Sequence, residues 1–198
     1  MPGRILSLSP VPSVSLPHWN YFLAIEDDIG RIGRYIELTP ANFTTYSIET
    51  ARLLMTATQE IDVLFKQLCG LKGNGAKDEK AYRLSVPKIY PRITTAKVQL
   101  SRYGLNFTPF ESWEEGVTPK WWTANNKVKH ERHSRFPEAS VGNMLDAVSA
   151  LLLANIYYHH ATGTISDLFP GTIHFLPVGM VEGLEMSGLG WVPKYKIL

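Results

Sequence analysis

The sequence predicts a mainly α fold of the α+β kind, a helical bundle with a small β-sheet or hairpin. Three observations predict it. Two long stretches, from Ser47 to Cys69 and from Ala139 to Ala161, repeat apolar residues every three or four positions, the period of a helix with a buried face. Between residues 96 and 110 the period shortens. After residue 170, short apolar runs alternate with glycines, as in strands joined by turns.

The bulk properties narrow the class. A chain of 198 residues with 44% hydrophobic and 19% charged residues has the make-up of an ordinary globule. The expected layout is an extended arm over residues 1–20, broken by Pro2, Pro10, Pro12 and Pro17, then one domain over residues 21–198. A net charge of +2 gives no global nucleic-acid footprint, so any anion site must be a local patch. The single cysteine, Cys69, excludes an intramolecular disulfide and a multi-thiolate zinc site. The N-terminus does not read as a signal peptide, and the apolar run at Ala150–Ala154 is too short to span a bilayer. The expected location is the cytoplasm, with no membrane partner.

Taken in order, Phe22, Ile25, Ile29, Ile32 and Ile36 define a first helix from Tyr21 to just before Thr39-Pro40, with Gly30 and Gly33 against it. The second runs from near Ser47, with Ser47 or Thr45 able to cap it, to Cys69, with Gly70 as its stop. Glu60 lies one position off its apolar stripe. It either belongs to a solvated face or turns toward the basic centre described below. Asp78 can cap a short helix through Tyr82, Val86 and Ile89, ended by Pro91. Val98 to Phe107 reads as a strand or hairpin bent at Gly104. The loop from Phe110 to Gly116 is expected to pack Trp113 under the pair Trp121-Trp122. Thr118 and Pro119 read as the cap and first residue of a helix that Phe136-Pro137 ends. The Ala139 helix is apolar over more than half its circumference and should be the most buried. Ile173–Leu176 and Trp191–Ile197 are the remaining strand candidates, paired with each other or with the Val98 strand.

The chemistry concentrates between Thr118 and Arg135. Helical spacing puts Trp122, Asn126, His130 and His133 on one face, with Lys127, Lys129, Arg132 and Arg135 around it. A histidine one turn from an amide, among cations, can move a proton near neutral pH while the cations stabilise a developing phosphorane. That set suits cleavage of RNA without a metal, with Asn126 orienting the phosphate. The alternative is a structural histidine satisfied by a carbonyl or an acid. A metal site is not expected, because His130 and His133 lack the four-residue spacing and the carboxylates that helical sites use. His159 and His160 are read as cations facing the negative end of their helix. Cys69 is expected to be buried rather than nucleophilic.

The segment Asn125-Asn126-Lys127-Val128-Lys129-His130 resembles the signature of HEPN domains (higher eukaryotes and prokaryotes nucleotide-binding), with Asn126 and His130 matching its Asn and His. The phrase Trp-Trp-x-x-x-Asn-x-x-Lys-His-x-Arg before a hydrophobic helix is similar to one found in uncharacterised bacterial HEPN-like proteins. The resemblance covers about residues 45–162. Asn125 departs from it, standing where the signature usually carries arginine; Arg132 or Arg102 is a candidate substitute. The resemblance implies a homodimer whose paired histidines form one site. It implies RNA or a nucleotide as ligand, no cofactor, and a place among toxin–antitoxin or defence ribonucleases, or else among non-catalytic interaction modules with an unknown partner protein. It assigns His130 and Asn126 the catalytic roles and Lys127, Lys129 and Arg132 phosphate binding. Support would come from Arg102, Glu60, Trp122 and His133.

Overall fold

Residues 15–187 and 190–197 are described by the structure, a computed structural model. Among these residues are five α-helices, several single-turn 3-10 helices and two small antiparallel sheets. The centre is the pair α2 (Ile48–Leu71) and α5 (Val141–Thr162), which make the most extensive interhelical contact. Both start at one end. Val141 N–H donates to the carbonyl of Thr45 at 2.8 Å and Gly142 N–H to that of Phe43 at 3.0 Å. At the other end the Tyr158 hydroxyl donates to Gln67 Oε1 at 2.9 Å. The two helices therefore run in the same direction, pinned near both ends.

The two central helices start at side chains that cap them. Ser47 Oγ accepts from Thr50 N–H, and Ser47 N–H donates to Thr50 Oγ1, a reciprocal cap that satisfies two otherwise free donors. Ser140 caps α5 and Gly163 closes it. The expected Gly70 stop is passed by one residue, since α2 reaches Leu71.

Helix α1 spans Pro17–Ile32, so residues 17–20 of the expected arm are helical; residues 1–14 lie outside the described residues. Pro17 fits the first helical turn, where no intrahelical N–H is needed. Trp19 and Phe22 then stack at 5.2 Å, both fully buried. The helix stops at Ile32, short of Ile36. Its glycines have a packing role. A Cβ on Gly30 would meet His174 Nε2 at 2.7 Å, and one on Gly33 would collide with the Tyr103 hydroxyl. The helix propensity given up at these positions lets the β layer approach the helix.

Helix α3 (Glu79–Ile89) is capped by Asp78, whose Oδ1 accepts from Ala81 N–H at 2.9 Å, as the sequence predicts. Strands β1 (Lys97–Leu100) and β2 (Leu105–Phe107) form the predicted hairpin, with Gly104 at φ 65°, a left-handed turn position that disfavours a side chain. Strand β3 (Phe175–Val178) pairs with β1 on the other edge, giving the order β2-β1-β3. Strands β4 (Val181–Ser187) and β5 (Gly190–Tyr195) make a separate hairpin.

The β3 strand begins two residues later than expected because Ile173 and His174 are engaged elsewhere. The N–H groups of Ile173, His174 and Phe175 donate to the Glu26 carboxylate at 2.8–3.1 Å. Glu26 lies on α1 and is 2% exposed. One buried anion thus ties a strand to a helix almost 150 residues earlier in the chain. Charged acceptors make the stronger hydrogen bonds. Removing this one leaves three donors without their acceptor, that of Phe175 in a buried position. We predict that Glu26→Ala lowers stability by about 3 kcal/mol in urea unfolding, with Glu26→Gln losing less because one acceptor oxygen remains.

Candidate functional site

Helix α4 (Lys120–Arg135) carries the predicted site, but it begins differently from its sequence reading. Pro119 is the cap position, and Thr118 caps nothing. Its hydroxyl instead donates to Glu79 at 2.9 Å. Glu79, 8% exposed, also accepts from Trp113 Nε1 at 3.0 Å. This carboxylate fixes the segment leading into α4. Trp113 is not directly under the tryptophan pair. Phe110 lies between, 4.5 Å from Trp113 and 5.9 Å from Trp121. Trp121 is fully buried and its Nε1 donates to the Pro109 carbonyl at 2.9 Å.

Helix α4 packs against α2 in the opposite direction. Trp122, Asn125, Asn126 and Lys129 meet Thr58, Gln59, Asp62 and Val63 around an open groove of about 380 Å³. Arg132, further along, lies over Met55, with Nη2 3.2 Å from its sulfur. Trp122 and Asn125 are buried, at 8% and 6% exposure, while Asn126, Lys129 and His130 are exposed. Asn125, the position where the HEPN signature has arginine, therefore sits at the helix–helix contact. Its Nδ2 donates a long hydrogen bond, 3.4 Å, to Asn126 Oδ1.

The predicted common face holds only in part. Asn126 and His130 are one turn apart in regular helix. Glu131 then departs to φ −131° and ψ 36°, a kink that takes His133 out of register with them. His130 is exposed and has no hydrogen-bond partner among the described residues. Two of the surrounding cations are neutralised. Lys127 Nζ is 2.7 Å from Glu138 Oε1, and Arg135 Nε is 3.4 Å from Glu131 Oε2. Lys129 and Arg132 have no carboxylate partner among the described residues, so positive charge is concentrated in the last turns of α4.

Asp62, in the groove, opposes that charge. It accepts from Tyr82 OH at 2.9 Å and from Lys66 at 3.1 Å. Burial and this bond together hold the Tyr82 phenol well above its ordinary range.

Glu60 and Arg102 are elsewhere. Glu60 turns away from α4 and accepts from His18 Nδ1 at 2.5 Å. His18 is the second residue of α1, so the apolar stripe of α2 positions Glu60 on the α1 side. Arg102 lines a different cavity, with Arg31, Arg34 and His174, and does not replace the missing arginine. His159 also departs from its expected role. It is 3% exposed, and burial lowers its pKa to about 4, so at neutral pH it does not supply a cation to the helix end. Cys69 is fully buried, as expected, and burial raises its thiol pKa.

Among the described residues, no three His, Cys, Asp or Glu side chains gather as a metal site, and no helix is long and apolar enough to cross a membrane. One titratable group escapes sequence reading. Asp146 sits in the second turn of the apolar helix α5, near Glu111 and near Lys120 at the start of α4. Its one sequence signal is an acid between Leu145 and Ala147 in an otherwise hydrophobic run. No protein-family model, curated protein or solved structure matches the chain.

Burial first, and Glu111 second, push the Asp146 carboxyl up to about 7 from its usual 3.8. Between those values the unfolded chain has released this proton while the folded protein keeps it. The contribution of Asp146 to stability is therefore fully present below the lower value and is lost as pH rises toward the upper one. We predict that Asp146→Asn raises the melting temperature above neutral pH and leaves it nearly unchanged at about pH 3, where the acid is already neutral in both states.

Proposed function

We propose that this chain is an HEPN-like protein whose α4 surface acts on RNA as a metal-independent endoribonuclease in a homodimer. The observation that carries the reading is the state of His130. It is exposed and without a bonding partner among the described residues, one helical turn from exposed Asn126, and flanked by Lys129 and Arg132. A histidine recruited for structure would be buried and bonded, as His159 is at Nδ1 through Thr164 at 2.7 Å.

In the proposed reaction His130 takes the proton of a ribose 2′-hydroxyl. The 2′-oxygen bonds to phosphorus and the P–O5′ bond breaks. His130 of the second copy gives a proton to the departing 5′-oxygen, leaving a cyclic phosphate and a 5′-hydroxyl. Asn126 orients the phosphate, and Lys129 and Arg132 stabilise its added negative charge. Lys127 is a weaker candidate for that role because Glu138 already engages it.

A second reading, a non-catalytic dimerising module, is favoured by a different observation. Beside Arg132, a largely apolar groove of about 560 Å³ runs between Ile48, Met55 and Phe136. Ile48 is 77% exposed there, at the first position of α2.

We predict that the purified chain cleaves single-stranded RNA in the presence of a chelator. His130→Ala should lower the rate by about 100-fold or more, since positioned acid–base groups contribute on that scale. Full cleavage by that variant would sink the enzymatic reading. No cleavage by the unaltered chain, with Ile48→Glu converting a dimer to a monomer in sedimentation, selects the module instead.

A further inference from the structure

A second site lies on the β side of the molecule and shares no residue with α4. The turn after β3 overhangs α5, leaving a crevice of about 200 Å³. Arg92 and Lys97, on the segment that runs into β1, and Lys196, just after β5, reach it, and no carboxylate is among its lining residues. Lys196 is held by Glu182 at 2.8 Å. Arg92 and Lys97 have no such partner among the described residues. Val178 and Met180 supply an apolar side.

The remaining wall is Tyr157 of α5, and it gives the crevice its chemistry. This residue is 1% exposed, yet its hydroxyl has no hydrogen-bond partner among the described residues. Its ring packs on Tyr90 with centroids 4.6 Å apart, so the phenol is held in place. Burial pushes its pKa up to about 12, and it stays a proton donor at neutral pH. That hydroxyl is open to the crevice rather than sealed in the core, so an incoming acceptor can reach it. A rigid donor beside two uncompensated cations is set up for an acceptor that carries negative charge.

We infer that this crevice binds a small organic oxyanion, with its charged head received by Arg92, Lys97 and the Tyr157 hydroxyl and its apolar part against Val178 and Met180. The volume admits a phosphomonoester or carboxylate on a short body; it does not admit a polymer. The site is independent of the proposed ribonuclease surface, and the two can fail separately.

The test is calorimetric titration of the full chain at low salt with phenyl phosphate, and with inorganic phosphate as the head group alone. Phenyl phosphate should bind more tightly than inorganic phosphate. Tyr157→Phe should weaken it roughly tenfold, the scale of one hydrogen bond to a charged group. The same variant should melt at the temperature of the unaltered chain or above it, because the hydroxyl has no internal bond to lose. Arg92→Ala with Lys97→Ala should abolish binding. Absence of binding to the unaltered chain at about 10 mM probe, an affinity too weak for a built site, overturns the inference. So does equal binding by Tyr157→Phe, or a marked fall in its melting temperature.

Discussion

The seam between α2 and α5 is the constraint on which the other elements depend. Leu53, Leu54, Ile61, Leu64 and Leu68 from one helix and Val148, Leu151, Leu152 and Ile156 from the other are all fully buried. Each such side chain contributes on the order of 2 kcal/mol by leaving water. The parallel arrangement is closed at one end by the Thr45 and Phe43 carbonyls and near the other by Gln67 and Tyr158. With that seam fixed, α1 and α4 have one place each along α2. The former is joined to it through Glu60 and through Asp28, which pairs with Arg52 at 2.6 Å. The latter packs through Trp122, Asn125 and Val128.

Two buried carboxylates do what apolar packing cannot, since hydrophobic contact is non-directional. Glu26 sets where β3 begins by taking three consecutive backbone donors. Glu79 sets where α4 begins by holding Trp113 and Thr118. The α4 surface is exposed because the helix buries only its Trp121, Ala124, Val128 stripe and the edge beside α2. Its cations are then sorted by neighbours. Glu138 and Glu131 silence Lys127 and Arg135, while Lys129 and Arg132 retain their charge at the end where His130 lies.

The helices were legible because their information is local. Ser47 and Asp78 are chain neighbours of the ends they cap, and Ser140 caps α5 one residue past its expected start at Ala139. The stripes of α2 and α5 repeat at helical period, and the Val98–Phe107 hairpin announces itself by alternation and Gly104. Of the candidate site, the spacing of the Asn126–His130 pair was legible for the same reason. The kink at Glu131 was not, because nothing in Lys129-His130-Glu131-Arg132 breaks a helix by propensity.

What the sequence by itself determined is the helical class, the main element boundaries to within a few residues, and the position of one cationic, histidine-bearing helix. These follow from periodicity and capping, which act over a handful of positions. Tertiary structure alone decided the partners of the charged groups. Glu60 went to His18, Arg102 to a cavity beside α1, and Thr118 to Glu79; His159 became buried and neutral. Each outcome turns on a residue distant in the chain, and a carboxylate or imidazole looks the same in sequence whether it faces water, a cation or a row of backbone donors. The crevice under Tyr157 belongs to the same class, since its walls come from α5, the paired ends of β1 and β3 and the residue after the last hairpin, and only folding brings them together.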